Sequence, residues 1–107
     1  MYKLLLILPL AAFIAATPTT TTDPGVPADI NALLDKYGCA ACHSTQRKLV
    51  GPKWQDIAAR GYTKKRIIQL VKKPEPGNWP GYPAMTPQAT VPKADLDKIA
   101  TWLVSYK

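Results

Sequence analysis

Histidine and cysteine are scarce in this chain of 107 residues. His43 is the single histidine, and Cys39 and Cys42 are the only cysteines. A structural zinc site needs four ligands, and these three residues do not supply them. Strand-like alternation of apolar and polar residues is also absent, whereas a thioredoxin-like redox pair requires a βαβ context. The sequence therefore argues against two common explanations for a pair of cysteines separated by two residues.

No apolar run is long enough to span a membrane comfortably. The apolar stretch from Leu4 to Ala16 is interrupted by Pro9, and a spanning helix needs about 20 residues. It follows a short basic start and ends in small residues, which is typical of a secretory signal peptide. We predict a signal peptide over residues 1–16, with an uncleaved anchor as the alternative. A solvated linker rich in threonine and proline is predicted over 17–27, and one folded domain over 28–107.

Acidic residues are few, with 7 against 14 basic residues and a formal net charge of +7. Loss of Lys3 with the signal peptide leaves 13 basic and 7 acidic residues, or +6. The basic residues cluster within 47–53 and 64–73. A solvated surface explains any single lysine. For the clusters we expect an acidic docking patch on a protein partner, and no nucleic acid, because an exported chain without a binding motif is a poor candidate.

Four short helices are predicted, and they make the chain all-α. They cover residues 28–37, 53–60, 64–73 and the stretch from 92 to near the C terminus. Thr63 is expected to cap the third helix. The buried stripe of the last helix is expected to be Leu96, Ile99, Ala100, Leu103 and Val104. Between the last two helices, residues 74–92 hold six prolines and two glycines, which predicts an ordered loop and excludes a long helix.

The run CAACH at 39–43 is the attachment signature of c-type haem. Each thiol forms a thioether to a vinyl group, and the two-residue spacer matches the separation of the vinyls. His43 is then the proximal ligand of the iron. A disulfide is compatible with export but leaves His43 unexplained. The sequence therefore predicts one covalently attached haem c, together with export, since this haem is attached outside the bacterial cytoplasm.

The second axial position of the iron has one thioether candidate. No second histidine exists, and Met1 leaves with the signal peptide, so Met85 is the methionine that remains. It lies 42 residues after His43 in a stiff, proline-rich segment. We expect Met85 to be the ligand. A methionine that fills a gap in the core, lysine ligation at alkaline pH and an open site are the alternatives.

Three segments, in this order, resemble class I cytochromes c of the small bacterial c-551/c-552 kind. CAACH follows a short helix near the start of the folded domain. VGPKWQDIAARGY places Gly51 and Pro52 eight and nine residues after His43. YPAMTP and DLDKIATWLVSYK resemble the methionine loop and the terminal helix of that family. The resemblance covers about residues 28–107 and implies the class I cytochrome c fold, with about four short helices around the haem.

The resemblance also implies roles for further residues. Pro52 resembles the proline whose carbonyl accepts a hydrogen bond from Nδ1–H of the ligand histidine. Trp79 resembles the loop tryptophan whose indole N–H meets a haem propionate. Arg47 occupies a place where the family often has a basic residue near a propionate. An ordinary turn, aromatic packing and a solvated charge are the respective alternatives.

A haem with histidine and methionine ligands has no vacant site, so we expect one-electron transfer and no enzymatic activity. The alternative is a haem-based ligand sensor or a weak peroxidase in which Met85 is displaced, and a thiol protein without haem comes third. The expected carrier is monomeric and soluble in the periplasm. Its partners would be redox proteins with acidic patches, such as a terminal oxidase, a quinol-oxidising complex or a periplasmic dehydrogenase.

Overall fold

Helices form the regular structure of the chain. The computed structural model describes residues 7–15 and 22–107. In order, the helices are α1 (Ala28–Lys36), α2 (Trp54–Ala58), α3 (Lys64–Lys72) and α4 (Lys93–Ser105). Single 3₁₀ turns lie at Cys39–Ala41 and Pro76–Asn78. These two ranges contain no strand, and the all-α prediction is confirmed.

Local interactions and backbone preferences explain where the helices begin and end. The Thr63 side chain accepts a hydrogen bond of 3.1 Å from the backbone N–H of Arg66, which confirms the predicted cap of α3. Pro92 directly precedes α4, where its fixed φ suits a helix start. Helix α2 is shorter than predicted, because Lys53 is extended and the chain after Ala58 tightens into a turn that ends at Gly61.

The core forms where α4 packs against the other three helices. Side chains from every helix and from the segment before α1 contribute to it. They are Val26, Ile30, Leu34, Trp54, Ile67, Ile99, Ala100, Trp102 and Leu103. Helix α4 therefore lies at the centre, and the other helices cover it from several sides.

The prediction of the buried stripe on α4 was wrong at one residue. Val104 is 50% exposed, whereas Trp102 is only 8% exposed. The Trp102 ring meets the Trp54 ring edge-on, with centroids 5.5 Å apart. At about 100° per residue, Trp102 extends the buried arc on the side of Ile99 toward α2, while Val104 lies beyond the opposite edge. Contact with α2 decides which side of the stripe is wider.

The segment before α1 contacts the domain. Val26 is buried in the core, and the Asp23 carboxylate accepts hydrogen bonds from Ser44 Oγ (3.2 Å) and from the Thr45 backbone N–H (3.0 Å). Asn31 bonds back to the backbone of Asp23 and Val26. The solvated linker was predicted to end at residue 27, whereas these contacts with the folded part reach back to Asp23.

Residues 7–15 form no helix or strand, and their large apolar side chains are exposed. Of the predicted signal peptide, residues 1–6 and 16 lie outside the described residues, as do residues 17–21 of the predicted linker. Within the parts of the chain that the structure describes, none of the helices combines the length and the apolar character needed to cross a membrane.

Candidate functional site

A cavity of about 250 Å³ opens between the helices and the proline-rich loop. Its walls are mostly apolar and come from α2, α3, α4 and loop 74–92. Six predicted site residues line it: Cys39, Cys42, His43, Pro52, Trp79 and Met85. Arg47 is exposed and is not part of this lining, so its role near a propionate stays a prediction.

A tight turn presents the two thiols and the imidazole to this cavity. Gly38 adopts the left-handed conformation (φ 73°) that ends α1, and the chain enters the 3₁₀ turn at Cys39. The backbone N–H groups of Cys42 and His43 both donate to the Cys39 carbonyl, at 3.2 and 3.0 Å. The two cysteines form no disulfide with each other. The motif therefore acts as one rigid unit on one wall.

The His43 ring is held in a single tautomer. Its Nδ1 lies 2.8 Å from the Pro52 carbonyl oxygen, and since a carbonyl only accepts, Nδ1 carries the proton and donates it. Burial lowers the pKa of His43, and the hydrogen bond to Pro52 opposes that shift in part. The ring is therefore neutral near pH 7. Its Nε2 keeps a lone pair and has no hydrogen-bond partner among residues 7–15 and 22–107.

Two neighbours of the His43 ring have roles that the sequence analysis did not assign. A Cβ atom on Gly51 would lie 2.5 Å from His43 Cε1 and 2.8 Å from Nδ1, so only glycine fits there. The Trp54 ring covers the imidazole with centroids 4.7 Å apart. The sequence signals for Gly51 were its place directly before Pro52, which an ordinary turn also explains, and its place in the segment VGPKWQDIAARGY, eight residues after His43.

The proline-rich loop is tied to the domain at both ends. Arg66 of α3 forms an ion pair with Glu75, and Asn78 Nδ2 donates to the same carboxylate at 3.0 Å. These two hydrogen bonds, that of Arg66 first, hold the pKa of Glu75 below its usual value. Beyond Met85, the backbone N–H of Gln88 donates to the Val71 carbonyl at 2.9 Å. Met85 lies between these anchors and is 37% exposed.

Aromatic side chains of the loop lie beside cations from other segments. The Arg60 guanidinium lies 3.9 Å from the centroid of the Trp79 ring, and Lys48 Nζ lies 4.2 Å from that of Tyr82. The two rings meet edge-on with centroids 6.0 Å apart. Neither Arg60 nor Tyr82 is predicted from the sequence as a site residue, because no local pattern pairs them with their partners.

The residues present fit a covalently held haem. Two thiols, a neutral imidazole with one unpartnered nitrogen and a thioether line the same apolar cavity. The wall also contains Trp54, whose buried Nε1–H has no hydrogen-bond partner in the described part of the chain. Over residues 7–15 and 22–107, no group of three or more His, Cys, Asp and Glu side chains forms a potential metal site.

A family model described as Cytochrome c matches residues 27–107. The chain belongs to the cytochrome c family. The resemblance drawn from the three sequence segments is thereby confirmed, and so is the cofactor: the protein carries one covalently attached haem c.

Individual relatives support the same assignment to the cytochrome c family. Cytochrome c-551 of Allochromatium vinosum is 36% identical over 88 residues, which are 78% of this chain and 92% of the relative. Cytochrome c-551 of Pseudomonas denitrificans is 38% identical over 70% of this chain and 94% of its own length. The crystal structure of Nitrosomonas europaea cytochrome c552 superposes with a TM-score of 0.63 at 33% identity and covers 71% of this chain and 98% of that one. This cytochrome c is an electron carrier and not an enzyme.

Proposed function

We propose that this electron carrier works in the periplasm and holds its haem iron between His43 and Met85, with the porphyrin attached through Cys39 and Cys42. The hydrogen bond between His43 Nδ1 and the Pro52 carbonyl carries the proposal. Because it leaves the lone pair on Nε2, the one imidazole of the chain is prepared as a metal ligand. It lies in the cavity that both thiols and the Met85 thioether also line.

When bound, the haem supplies one iron centre that gains and loses a single electron. The residues around it set how readily the electron is held. The bond to Pro52 raises the basicity of His43, which favours the ferric state, whereas the Met85 thioether favours the ferrous state. The apolar side chains of α3 and α4 penalise the extra charge of the ferric state, and this raises the potential.

The attachment can be tested by mass spectrometry and mutation. A protease digest should contain a peptide with residues 39–43 that carries the mass of one haem. The double variant Cys39→Ala, Cys42→Ala should lack covalent haem and lose cooperative unfolding, because a domain of 80 residues without its apolar centre has little to bury. A stable, cooperatively folded double variant without haem would contradict the proposal that the cofactor forms the core.

The role of Met85 has its own test. Met85→Ala should abolish the methionine-to-iron charge-transfer band and lower the reduction potential, and it should let added imidazole bind. Thr86→Ala, an exposed neighbour in the same loop, is the matched control and should keep the band. An unchanged spectrum and potential in Met85→Ala would remove Met85 from the ligand role.

One observation favours a second function, that of a ligand sensor or weak peroxidase. Met85 lies in a stretch without helix or strand and makes no hydrogen bond in the part of the chain that the structure describes. A ligand in that position is displaced more readily than one held by a helix. High-spin bands of the wild-type protein at neutral pH would support this function, whereas low-spin bands support the carrier.

The periplasmic location rests on the apolar stretch that begins at Leu4, since its length and small-residue end match a signal peptide. The intact mass of the protein from the periplasmic fraction should correspond to a chain that begins near Thr17 and carries one haem. A mass that includes residues 1–16 would favour the uncleaved anchor. We propose a monomer that exchanges electrons with an acidic redox partner such as an oxidase, a quinol-oxidising complex or a dehydrogenase.

A further inference from the structure

A row of four side chains crosses the edge of the proline-rich loop. Arg60 lies over the face of Trp79, Trp79 meets Tyr82 edge-on, and Lys48 lies over Tyr82. We call these four residues the clasp. Both cation-to-ring distances, 3.9 and 4.2 Å, are well within the range of about 6 Å in which a cation is attracted to a ring face.

The clasp joins the loop to the segments that hold His43. In the sequence, Lys48 precedes and Arg60 follows Gly51 and Pro52, the residues that contact the imidazole. Arg60 follows α2, and its backbone N–H donates to the Ile57 carbonyl at 3.1 Å. Lys48 directly precedes Leu49, whose backbone N–H donates to the Gly51 carbonyl at 3.3 Å. The two rings belong to a loop that has little regular structure.

The position of Met85 depends on how this loop is held. Residues 83–87 are exposed, and the structure gives Met85 no hydrogen bond. The contacts with other segments that lie nearest to Met85 along the chain are that of Tyr82 with Lys48 on one side and that of Gln88 with Val71 on the other. Release of the clasp would leave the ion pair of Arg66 with Glu75 as the next contact with another segment on that side, and Glu75 lies farther from Met85 along the chain.

We propose that Arg60 and Lys48 are positioning residues that keep the loop closed and thereby hold Met85 at its place in the cavity. This inference rests on the proposed ligation by Met85. The cations act through the faces of the rings. The indole N–H of Trp79 lies at the ring edge, so it stays available for the predicted propionate contact.

The size of the effect follows from the strength of such contacts. Lys48 and Arg60 are exposed, so loss of one of these cations from its ring should raise the opening equilibrium of the loop about 2- to 5-fold. Loss of both should raise it about 4- to 25-fold if the two contacts act independently. A change of this size is measurable as faster entry of an external ligand.

The experiment is stopped-flow binding of saturating imidazole to the ferric holoprotein, where departure of Met85 limits the rate. Arg60→Met and Lys48→Met each remove a cation and keep an unbranched apolar stem, and the double variant removes both. Arg60→Lys retains a cation and should restore most of the wild-type rate. Lys98→Met is the matched control, since Lys98 is exposed on α4 and has no ion pair or ring contact among the described residues.

Faster binding in Arg60→Met and Lys48→Met, with the control and Arg60→Lys near wild type, supports the clasp. Two results would overturn it in different ways. Rates equal to wild type in both cation variants, while Met85→Ala loses the charge-transfer band, reject the clasp and leave Met85 as the ligand. A wild-type protein without that band rejects ligation by Met85 and the clasp together. If Arg60→Met does not fold, Lys48→Met and Arg60→Lys decide the same question.

Discussion

At the scale of the residue, the surroundings of His43 prepare its imidazole for the proposed role as a metal ligand. The Pro52 carbonyl fixes the proton on Nδ1, Trp54 covers the ring, and Gly51 leaves room for it. Burial alone would only lower the pKa of His43, which keeps the ring neutral but does not orient it. The hydrogen bond supplies the orientation, so ring position and protonation have separate causes.

Gly51→Ala should displace the His43 ring. The new methyl group would lie 2.5 Å from Cε1, and it would also lie 3.1 Å from the Cys42 carbonyl oxygen. We expect a loss of about 1–3 kcal/mol in unfolding free energy, as for other overpacked sites. A weaker bond to Pro52 makes the imidazole less basic, so the reduction potential should rise. Denaturant titration and voltammetry measure the two effects.

Gly77→Ala is the matched control for this substitution. A Cβ atom at Gly77 meets nothing within 4 Å, and the residue does not have a positive φ. Its unfolding free energy should change by less than about 0.5 kcal/mol. Equal effects at the two glycines would show that the space beside the His43 ring is not what requires glycine at residue 51.

At the scale of the element, the start of the domain is tied to α4 and to the haem-binding motif. The Tyr37 hydroxyl donates to the Asp95 carboxylate and so links the end of α1 to the first turn of α4. Asp23 accepts from Ser44 and Thr45, directly after His43. Short helices are marginal in isolation, so such contacts between elements stabilise α1 more than its own propensity does.

Tyr37→Phe should lower the melting temperature in a manner that depends on pH. The hydrogen bond to Asp95 is the main cause that raises the pKa of Tyr37. The folded state therefore favours the protonated phenol. Its contribution is complete below the unfolded pKa of about 10 and is lost as pH rises through the higher folded value. The difference between wild type and variant should be largest near neutral pH and shrink above about pH 10.

Tyr106→Phe provides the comparison for this prediction. Tyr106 is half-buried, and its hydroxyl makes no hydrogen bond within the described ranges. Its melting temperature should follow that of the wild type at every pH. Thermal unfolding between pH 6 and pH 11 measures both variants, and a Tyr37 effect that does not change with pH would contradict the assigned hydrogen bond.

A mature chain that begins at Ala28 should be less stable than one that begins at Asp23. The shorter chain loses the burial of Val26 and the two hydrogen bonds to the Asp23 carboxylate. Together these are worth about 2–4 kcal/mol. Denaturant unfolding of the two chains, each exported with the same leader, measures the difference. Equal stability of the two chains would mean that residues 23–27 belong to the solvated linker, as the sequence predicts.

At the scale of the whole molecule, the excess of basic residues is concentrated at α3 and the start of the loop. Within 64–73, Lys64 pairs with Asp97 at 2.8 Å and Arg66 pairs with Glu75. The remaining cations of this stretch have no ion pair in the part of the chain that the structure describes; they are Lys65, Lys72 and Lys73. Such cations are available to steer an acidic partner.

Reversal of Lys72 and Lys73 to glutamate should slow electron exchange with an acidic partner at low salt without a change in the haem spectrum. The association rate of the wild type should fall as salt rises, because the Debye length shrinks from about 30 Å at 0.01 M to 10 Å at 0.1 M. Stopped-flow oxidation over a salt series measures both. The same reversal at Lys93 and Lys98 of α4, both exposed, is the control. Rates that change neither with salt nor with either pair of charge reversals would indicate an apolar docking face.

The sequence by itself determined the helices and the chemistry of the cofactor. Helical spacing of apolar residues, Thr63 as a cap and prolines before α4 are local signals, and local signals set secondary structure. The spacing of Cys39, Cys42 and His43 is local as well, because one turn of chain holds all three. Because the chain has a single histidine, the sequence also predicted Met85 as the second ligand, with lysine ligation and an open site as alternatives.

Only the tertiary structure decided which distant residues meet. Trp102 and not Val104 is buried because α2 packs on that side of α4. The contact of Gly51 with the imidazole, the reach of Asp23 to Ser44 and the position of Arg60 over Trp79 all join separate segments. A proline-rich loop has no periodicity that fixes its path, so its partners are set by packing after the helices have assembled around the cavity.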